Sequence, residues 1–212
     1  SRKRETPFLE QLFFIPEECQ LPAMPITDFI RAYAPFYPGF NREQYLGYLK
    51  EFDIDVNRNL AALSFGQKKK AFIAFGLSTN ARLLVMDEPT NGLDIPSKIQ
   101  FRNIITAAFK EDRTIIISTH QVRDLDDLID AMIIMDKSEV LLFQDKATIA
   151  RKLFFGPADQ VAPGKPVIYS QQTPSGMIAV TENPNEQPSY LDIEILFNAV
   201  LSEREAVRKI FN

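Results

Sequence analysis

The stretch LLVMDEPTNGLD, from Leu83 to Asp94, decides both the fold class and the position of the candidate site. Its first four residues form an apolar run typical of a buried strand, and the run ends on two adjacent carboxylates, Asp87 and Glu88. A buried strand that ends in this way places both acids at one edge of a sheet. The stretch therefore indicates a site at the carboxyl end of a strand.

Apolar segments alternate with helical patterns over the following residues. RLLVMD, TIIIST, AMIIMD and EVLLFQ are predicted strands, and a helix from Pro96 to about Lys110 and a polar helix QVRDLDDLID lie between them. The buried face of the first helix is predicted to hold Ile99, Ile104, Ile105 and Ala108. The alternation predicts an α/β fold with a parallel sheet and its functional edge at the carboxyl ends of the strands. MDKSEVLLF predicts a hairpin that gives this sheet an antiparallel margin.

The segments before and after these alternating strands and helices have different predicted structures. Upstream, QLFFIP predicts a strand, and ITDFIRAYAPFY and NREQYLGYLKEF predict helices, the second capped by Asn41, in a small helical subdomain at about 24–80. The catalytic sheet is predicted at 81–155, which places a first domain at 1–155 with a boundary near Gly156. Residues 156–212 predict a small α+β appendage with strands PVIYSQ and GMIAVT and a helix whose core face is Ile193, Leu196, Phe197 and Val200.

Composition and charge bear on whether the protein binds nucleic acid, forms disulfides or spans a membrane. The 212 residues carry a net charge of −4 and a pI near 5.2, which gives no general attraction to nucleic acid, and no nucleic-acid partner is expected. The basic run from Lys68 to Lys70 is interpreted as a solvated first turn of a helix. The single cysteine, Cys19, excludes an internal disulfide and indicates a reducing compartment. No apolar stretch approaches the roughly 20 residues of a membrane span.

Three motifs in order resemble those of the nucleotide-binding subunits of ABC transporters. They are LSFGQ at Leu63 to Gln67, LLVMDEPTNGLD, and ISTH ending at His120. The resemblance covers roughly residues 8–155 and implies a P-loop-NTPase-like parallel sheet with a helical subdomain. The signature of the family is usually Leu-Ser-Gly-Gly-Gln, so Phe65 departs from it.

The resemblance implies ATP and Mg²⁺ as cofactors and gives three residues of the edge a role. Asp87 is expected to hold Mg²⁺, Glu88 to polarise the attacking water, and His120 to hydrogen-bond the γ-phosphate. Phosphoryl transfer needs charge neutralisation and a positioned nucleophile, which these residue types supply. His120, the one histidine of the chain, has a structural role as its alternative.

Further residues are expected to contact nucleotide. In the family the signature faces nucleotide bound mainly by the opposite subunit, and the D-loop, whose position Asp94 takes here, reaches across the dimer. Glu17 takes the aligned position of a family glutamine, with Gln20 too far along the chain. The alternative for Ser64 and for Asp94 is an ordinary helix cap. The expected contacts are Ser64, Gly66, Gln67, Asp94 and Glu17.

The sequence contains no GxxxxGK followed by Ser or Thr, the pattern that wraps nucleotide phosphates in backbone N–H groups. VAPGKPV has no glycine five positions before Gly164 and a proline where a helix would start, so it is interpreted as a turn. The resemblance places the phosphate loop and the N-terminal β-subdomain before Ser1. The chain is therefore expected to be inactive alone.

The resemblance also implies partners. We expect a homodimer or a paired nucleotide-binding subunit, working with separate transmembrane permease subunits on the cytoplasmic face of the cell membrane. Two alternatives remain open. The chain could be a naturally short, non-catalytic regulatory or interaction protein. It could also be a non-transport ABC ATPase acting in DNA repair or translation.

Overall fold

The computed structural model describes residues 5–161, 164–186 and 189–211. The chain divides into two compact units, Ser1–Asp124 and Leu125–Asn212. The predicted boundary near Gly156 falls inside a strand, since Gly156 pairs with Ala179. The assignment of residues 125–155 to the first domain stays a prediction.

Over residues 5–124, the first unit contains three strands and five helices. The strands are β1 Leu12–Ile15, β2 Leu83–Asp87 and β3 Thr114–Ser118, and the helices are α1 Thr6–Leu9, α2 Ile26–Tyr33, α3 Arg42–Glu51, α4 Phe65–Ser78 and α5 Ile95–Ala108. Short 3₁₀ turns at Ala34–Phe36, Leu60–Ala62 and Val122–Asp124 complete the list. The predicted strands at QLFFIP, RLLVMD and TIIIST are confirmed.

The three strands form a parallel sheet in the order β1-β2-β3, which confirms the predicted sheet. One face is apolar and buried, as Ile15 and Met86 are both fully enclosed. On the other face Phe14, Val85 and Ile116 lie in register across the strands. Phe14 is 53% exposed and Ile116 45% exposed, so this second apolar face is only partly covered by the described residues.

Helices α2, α3 and α4 pack around one aromatic side chain. Phe75 of α4 is 1% exposed. Its ring centroid lies between 5.0 and 6.4 Å from the centroids of five other rings, those of Phe13, Phe29, Tyr37, Phe40 and Tyr45. Asn41 caps α3 as predicted, because its side-chain oxygen accepts from the Gln44 N–H at 3.0 Å. The predicted helices of this region are thereby confirmed.

The second unit is a small α+β assembly. Its strands are β4 Ala131–Asp136, β5 Glu139–Asp145, β6 Leu153–Pro157, β7 Val167–Thr173 and β8 Gly176–Glu182, and its helices are α6 Lys146–Lys152, α7 Ile193–Ser202 and α8 Arg204–Phe211. Short 3₁₀ turns occupy Asp126–Leu128 and Ala158–Gln160. Strands β4 and β5 form an antiparallel hairpin, and β6, β8 and β7 form an antiparallel sheet in that order. The two strands predicted in the appendage are confirmed.

Several predictions about the segments that follow β2 are wrong. The hairpin of β4 and β5 is a separate two-stranded sheet among the described residues and not a margin of the parallel sheet. The predicted polar helix QVRDLDDLID is two short 3₁₀ turns, because its four aspartates compete with helical hydrogen bonding and Leu125 is its one buried apolar side chain. Ile99 and Phe197, predicted to be buried, are 47% and 40% exposed.

The turn predicted within VAPGKPV lies partly outside the described residues, which omit 162 and 163. Gly164 has φ +83°, a left-handed conformation that suits glycine, so the described part agrees with a turn.

Candidate functional site

Two acids lie at the carboxyl end of β2, as the sequence predicts. Asp87 pairs in register with Ser118 of β3, and the Ser118 hydroxyl donates to Asp87 Oδ1 at 2.5 Å. A carboxylate beside a hydroxyl at a strand end offers hard oxygen ligands, the kind that Mg²⁺ takes. Among the described residues no group of three His, Cys, Asp or Glu side chains could hold a metal. Mg²⁺ sites with one carboxylate and substrate phosphates need no such group, so Asp87 fits a shared magnesium site.

Glu88 is held by the segment that follows β3. Its Oε2 accepts from the Thr119 hydroxyl at 3.0 Å, and its Oε1 accepts from the His120 backbone N–H at 2.9 Å. The His120 ring nitrogen Nδ1 lies 2.7 Å from the same Oε1. The structure thus brings Glu88 and His120 into direct contact, with the Glu88 side chain 16% exposed and the His120 side chain 70% exposed. A carboxylate fixed in this way is suited to orient a water molecule at the sheet edge.

The backbone of Glu88 has an unusual conformation. Its φ is +43°, a value that costs energy in a non-glycine residue and that persists only where neighbours hold it. The Glu88 N–H donates to the Ser118 carbonyl at 2.9 Å, so β3 fixes this peptide as well as the side chain. The site therefore contains a constrained carboxylate at the strand end.

The signature segment begins helix α4. Ser64 accepts from the Gln67 N–H at 3.3 Å and Gln67 accepts from the Ser64 N–H at 3.1 Å, which is a complete capping box. The capping alternative for Ser64 is thereby confirmed, and its contact with a phosphate stays a prediction. Gly66 lies beside the loop before α5, since a Cβ there would be 3.6 Å from the Gly92 carbonyl oxygen.

Phe65 packs over this same loop. A Cβ at Gly92 would lie 3.0 Å from Cε1 of the Phe65 ring, which is a tight contact, and Gly92 has φ +77°, a backbone conformation that favours glycine. The Phe65 ring remains 54% exposed. Within one chain, the Phe65 ring therefore covers Gly92.

Asp94 caps helix α5, which confirms the alternative role, an ordinary helix cap, that the sequence offers for it. Its side chain accepts from the Ser97 N–H at 2.9 Å, and hydrogen bonds from Ser97 lower the pKa of the Asp94 carboxyl. The Lys70 ammonium donates to the Ser97 hydroxyl at 3.2 Å and ties α4 to α5. The expected reach of Asp94 across a dimer stays a prediction.

Glu17 lies close to the loop that follows the two acids. Its Oε1 accepts from the side-chain amide of Asn91 at 2.6 Å. The sequence predicts Glu17 at a nucleotide-contacting position, and the structure places it beside the segment from Glu88 to Asn91. Its contact with nucleotide stays a prediction.

The interpretation of the basic run as solvated is wrong for Lys69. This lysine is 1% exposed, and its ammonium donates to the carbonyls of Glu88 at 2.5 Å and Asn91 at 3.1 Å. Burial lowers the pKa of Lys69, against the opposing effect of nearby negative groups. The signal that sequence reasoning missed is spacing, since Lys69 stands four residues before Ile73 and eight before Leu77, both fully buried.

The reactivity of Cys19, which lies in the same strand-to-helix segment as Glu17, can be predicted from its burial. Burial raises the pKa of the Cys19 thiol to about 11, although the charge of Lys69 acts in the other direction. Because the thiolate is the reactive form, alkylation of the folded chain by iodoacetamide should rise about tenfold per pH unit from pH 8 to pH 10. The denatured chain should instead level off above its ordinary pKa of about 8.5.

The raised pKa of Cys19 also determines how its contribution to folding stability changes with pH. The folded chain holds this proton more tightly than the unfolded chain, so the contribution of Cys19 is complete below pH ~8.5 and is lost as pH rises toward the folded value. Mass spectrometry of the alkylated chain measures the rates. Equal pH profiles for folded and denatured chain would contradict the burial of this thiol.

The structure brings together most of the residues that the sequence singles out. Asp87, Glu88 and His120 meet at one edge, Glu17 joins them through Asn91, and Gly66 adjoins the same loop. Sequence reasoning gave no role to the hydroxyls of Ser118 and Thr119, although their place at the end of the predicted strand TIIIST was a usable signal. Among the described helices none is long and apolar enough to cross a membrane.

Comparison with known sequences finds a matching family and relatives. A model of the family described as "AAA domain, putative AbiEii toxin, Type IV TA system" matches residues 25–123. The energy-coupling factor transporter ATP-binding protein EcfA2 of Mycoplasmoides gallisepticum is 35% identical over 79 residues, which are 37% of this chain and 25% of that protein. The ABC transporter ATP-binding protein NatA of Bacillus subtilis is 35% identical over 86 residues, which are 41% of this chain and 35% of that protein. The chain thus spans about a third or less of these two relatives.

Solved structures share the fold. An ATP-binding subunit of an ABC transporter superposes with a TM-score of 0.61 and 23% identity over 69% of this chain and 63% of that one. A bacterial Atm1-family ABC exporter with ATP bound gives a TM-score of 0.54 and 21% identity over 64% of this chain and 25% of that one. These likenesses confirm the predicted α/β fold with a parallel sheet.

Proposed function

From the premise that this chain is a homologue of ABC transporter ATP-binding proteins, we propose that it carries the catalytic edge of a nucleotide-binding domain that hydrolyses ATP to power transport. The observation that carries this proposal is the constrained Glu88 carboxylate beside Asp87. A carboxylate held by Thr119 and His120 at the end of a buried strand suits the orientation of a water molecule for phosphoryl transfer.

Each residue of the edge has a proposed part. Asp87 would hold Mg²⁺, whose positive charge would offset negative charge on the phosphates. Glu88 would accept a proton from the attacking water, and His120, exposed beside it, would donate a hydrogen bond to the γ-phosphate. Glu17 would contact the nucleotide or its metal from the neighbouring segment.

The signature residues would act on a second nucleotide. Ser64 is exposed at the start of α4, where a hydroxyl and free backbone N–H groups favour an anion. Gly66 and Gln67 lie in the same turn, and Asp94 begins the next helix. We propose that this face meets nucleotide held by a paired subunit, either a second copy or a related chain.

The sheet itself supports the proposal that a phosphate loop is supplied by a segment other than the residues described. Parallel sheets are normally covered on both faces. Among the described residues β3 is an edge strand, and the face that contains Phe14 and Ile116 is partly open. A strand added beside β3 and the helix that follows it would cover this edge and this face. The chain alone is accordingly proposed to be inactive.

The proposed setting follows from the relatives. Their names describe ATP-binding proteins of transporters, so we propose that this chain works with separate transmembrane permease subunits, peripheral to the cytoplasmic face of the membrane. A second candidate is a non-transport ATPase of related fold, which is favoured by the match of residues 25–123 to an AAA-domain family. Stimulation of ATP hydrolysis by membrane subunits supports the first candidate, and hydrolysis indifferent to them supports the second.

The metal role of Asp87 provides the experiment that tests the proposal. In the protein that includes a phosphate loop, Asp87→Asn should raise the Mg²⁺ concentration needed for half-maximal ATP hydrolysis about tenfold or more, because a charged ligand is lost. The matched control is Asp112→Asn, an exposed aspartate before β3. An unchanged magnesium dependence in Asp87→Asn, or an equal change in the control, would contradict the proposal.

A further inference from the structure

Lys69 is the feature of the site that the proposed function does not explain. It is a buried lysine on the signature helix, yet its ammonium contacts the loop that carries Glu88. Its two acceptors are backbone carbonyls, those of Glu88 and Asn91, and not carboxylates. Burying an ammonium is costly unless it is hydrogen-bonded, so a position that keeps one needs a structural or functional reason.

The geometry gives such a reason. The peptide before Glu88 is held from β3, where its N–H donates to the Ser118 carbonyl at 2.9 Å. The carbonyl of Glu88 on the other side is held from α4, where Lys69 Nζ donates at 2.5 Å. The left-handed φ of Glu88 is therefore fixed from both sides, and its carboxylate direction depends on both contacts.

The second acceptor of Lys69, the Asn91 carbonyl, lies further along the same loop. Lys69 also donates to the carbonyl of Asn91 at 3.1 Å, and the side chain of Asn91 donates to Glu17 at 2.6 Å. One ammonium thus spans the loop from Glu88 to Asn91 and, through Asn91, reaches the segment before α2. An apolar side chain of similar length would fill the space but would leave both carbonyls without this donor.

We propose that Lys69 is a positioning residue that holds the Glu88 carboxylate in its working direction from the signature helix. The proposal rests on the proposed function of Glu88. Lys69 thereby connects α4, which Ser64 caps, directly to the loop that carries Glu88 in the same chain. Movement of the signature helix would then move the carboxylate that acts on the chain's own nucleotide.

The experiment compares Lys69→Met with Lys68→Met. Lys68 is the adjacent, partly exposed lysine of the same helix, so the control removes the same charge without touching the loop. Amide hydrogen exchange of the full chain should show the Asn91 N–H, which donates to the Glu88 carbonyl, exchanging at least about tenfold faster in Lys69→Met. Exchange of the β2 amides should stay unchanged in both variants. Unchanged exchange at residues 88–91 would overturn the proposal.

Kinetics separate positioning from simple stability. In the protein that includes a phosphate loop, Lys69→Met should lower kcat for ATP about a hundredfold and leave KM within about twofold, because a misplaced group costs rate more than binding. Lys68→Met should leave both values unchanged. A Lys69→Met variant with unchanged kcat would overturn the proposal, as would a rise in KM alone.

A measurement on the unsubstituted chain covers the case in which Lys69→Met does not fold. The ¹⁵N signal of the Lys69 ammonium should be protected from exchange with water, unlike that of Lys68. A Lys69 ammonium that exchanges as fast as Lys68 would overturn the proposal. If the unsubstituted protein hydrolyses no ATP, the proposed function fails, and amide exchange with the ammonium signal still decides whether Lys69 holds the loop.

Discussion

Replacement of Glu88 by glutamine is expected to lower the rate of ATP hydrolysis about 10²- to 10⁴-fold while nucleotide binding is retained. Glutamine has the shape of glutamate: its amide oxygen can still accept from the His120 N–H, and its NH₂ group can donate to the Thr119 hydroxyl oxygen, so the loop should keep its conformation. It cannot take a proton from water. Phosphate release at saturating Mg²⁺ and ATP measures the rate, and calorimetry with a nucleotide measures binding, both in the protein that includes a phosphate loop.

The control for this change is Glu111→Gln, an exposed glutamate in the loop before β3. It should hydrolyse ATP at the unsubstituted rate. A Glu88→Gln protein that keeps its rate within about twofold would remove Glu88 from the mechanism. Loss of binding together with loss of rate would instead assign Glu88 a structural role at the edge of the sheet.

Replacement of Phe75 by alanine is expected to lower the free energy of unfolding of the first unit by about 3–5 kcal/mol. The side chain is 1% exposed and its ring meets five other aromatic rings, so its removal leaves a cavity that rigid neighbours cannot fill. A loss of this size is a large fraction of the stability of a typical domain. Helices α2, α3 and α4 should lose their common core.

Hydrogen exchange of the β2 amides under native conditions measures this effect for the first unit alone, which is necessary because a chain with two compact units need not unfold in one step. The matched control is Phe36→Ala, since Phe36 lies in the same helical region but is 66% exposed. It should change the free energy of unfolding by less than about 0.5 kcal/mol. Equal effects of the two substitutions would contradict the assignment of Phe75 as the centre of this core.

The sequence was sufficient for the elements whose signals are local. The apolar run LLVM ends on Asp87, and the predicted strand RLLVMD starts one residue before β2 and ends with it; Asn41 caps α3 as expected. The three motifs also predicted that Glu88 and His120 share one edge, and the structure places His120 Nδ1 2.7 Å from Glu88. These features depend on periodicity, on capping and on the rule that parallel strands end together.

The features that the sequence did not reveal depend on contacts between distant segments. Lys69 reads as part of a basic surface run, and only the packing of α4 against the loop after β2 buries it. The Glu17 contact with Asn91 joins residues 74 positions apart. The separation of the β4–β5 hairpin from the parallel sheet is likewise a matter of pairing between strands, which periodicity does not encode.

The most direct test of the account is a structure of the Glu88→Gln protein, with its phosphate loop, bound to ATP and Mg²⁺. The account predicts Mg²⁺ beside Asp87, the γ-phosphate within hydrogen-bond reach of His120, and a water molecule between the side chain at position 88 and the γ-phosphorus. Nucleotide bound away from this edge would contradict the central claim, as would a side chain at position 88 that faces neither water nor phosphate.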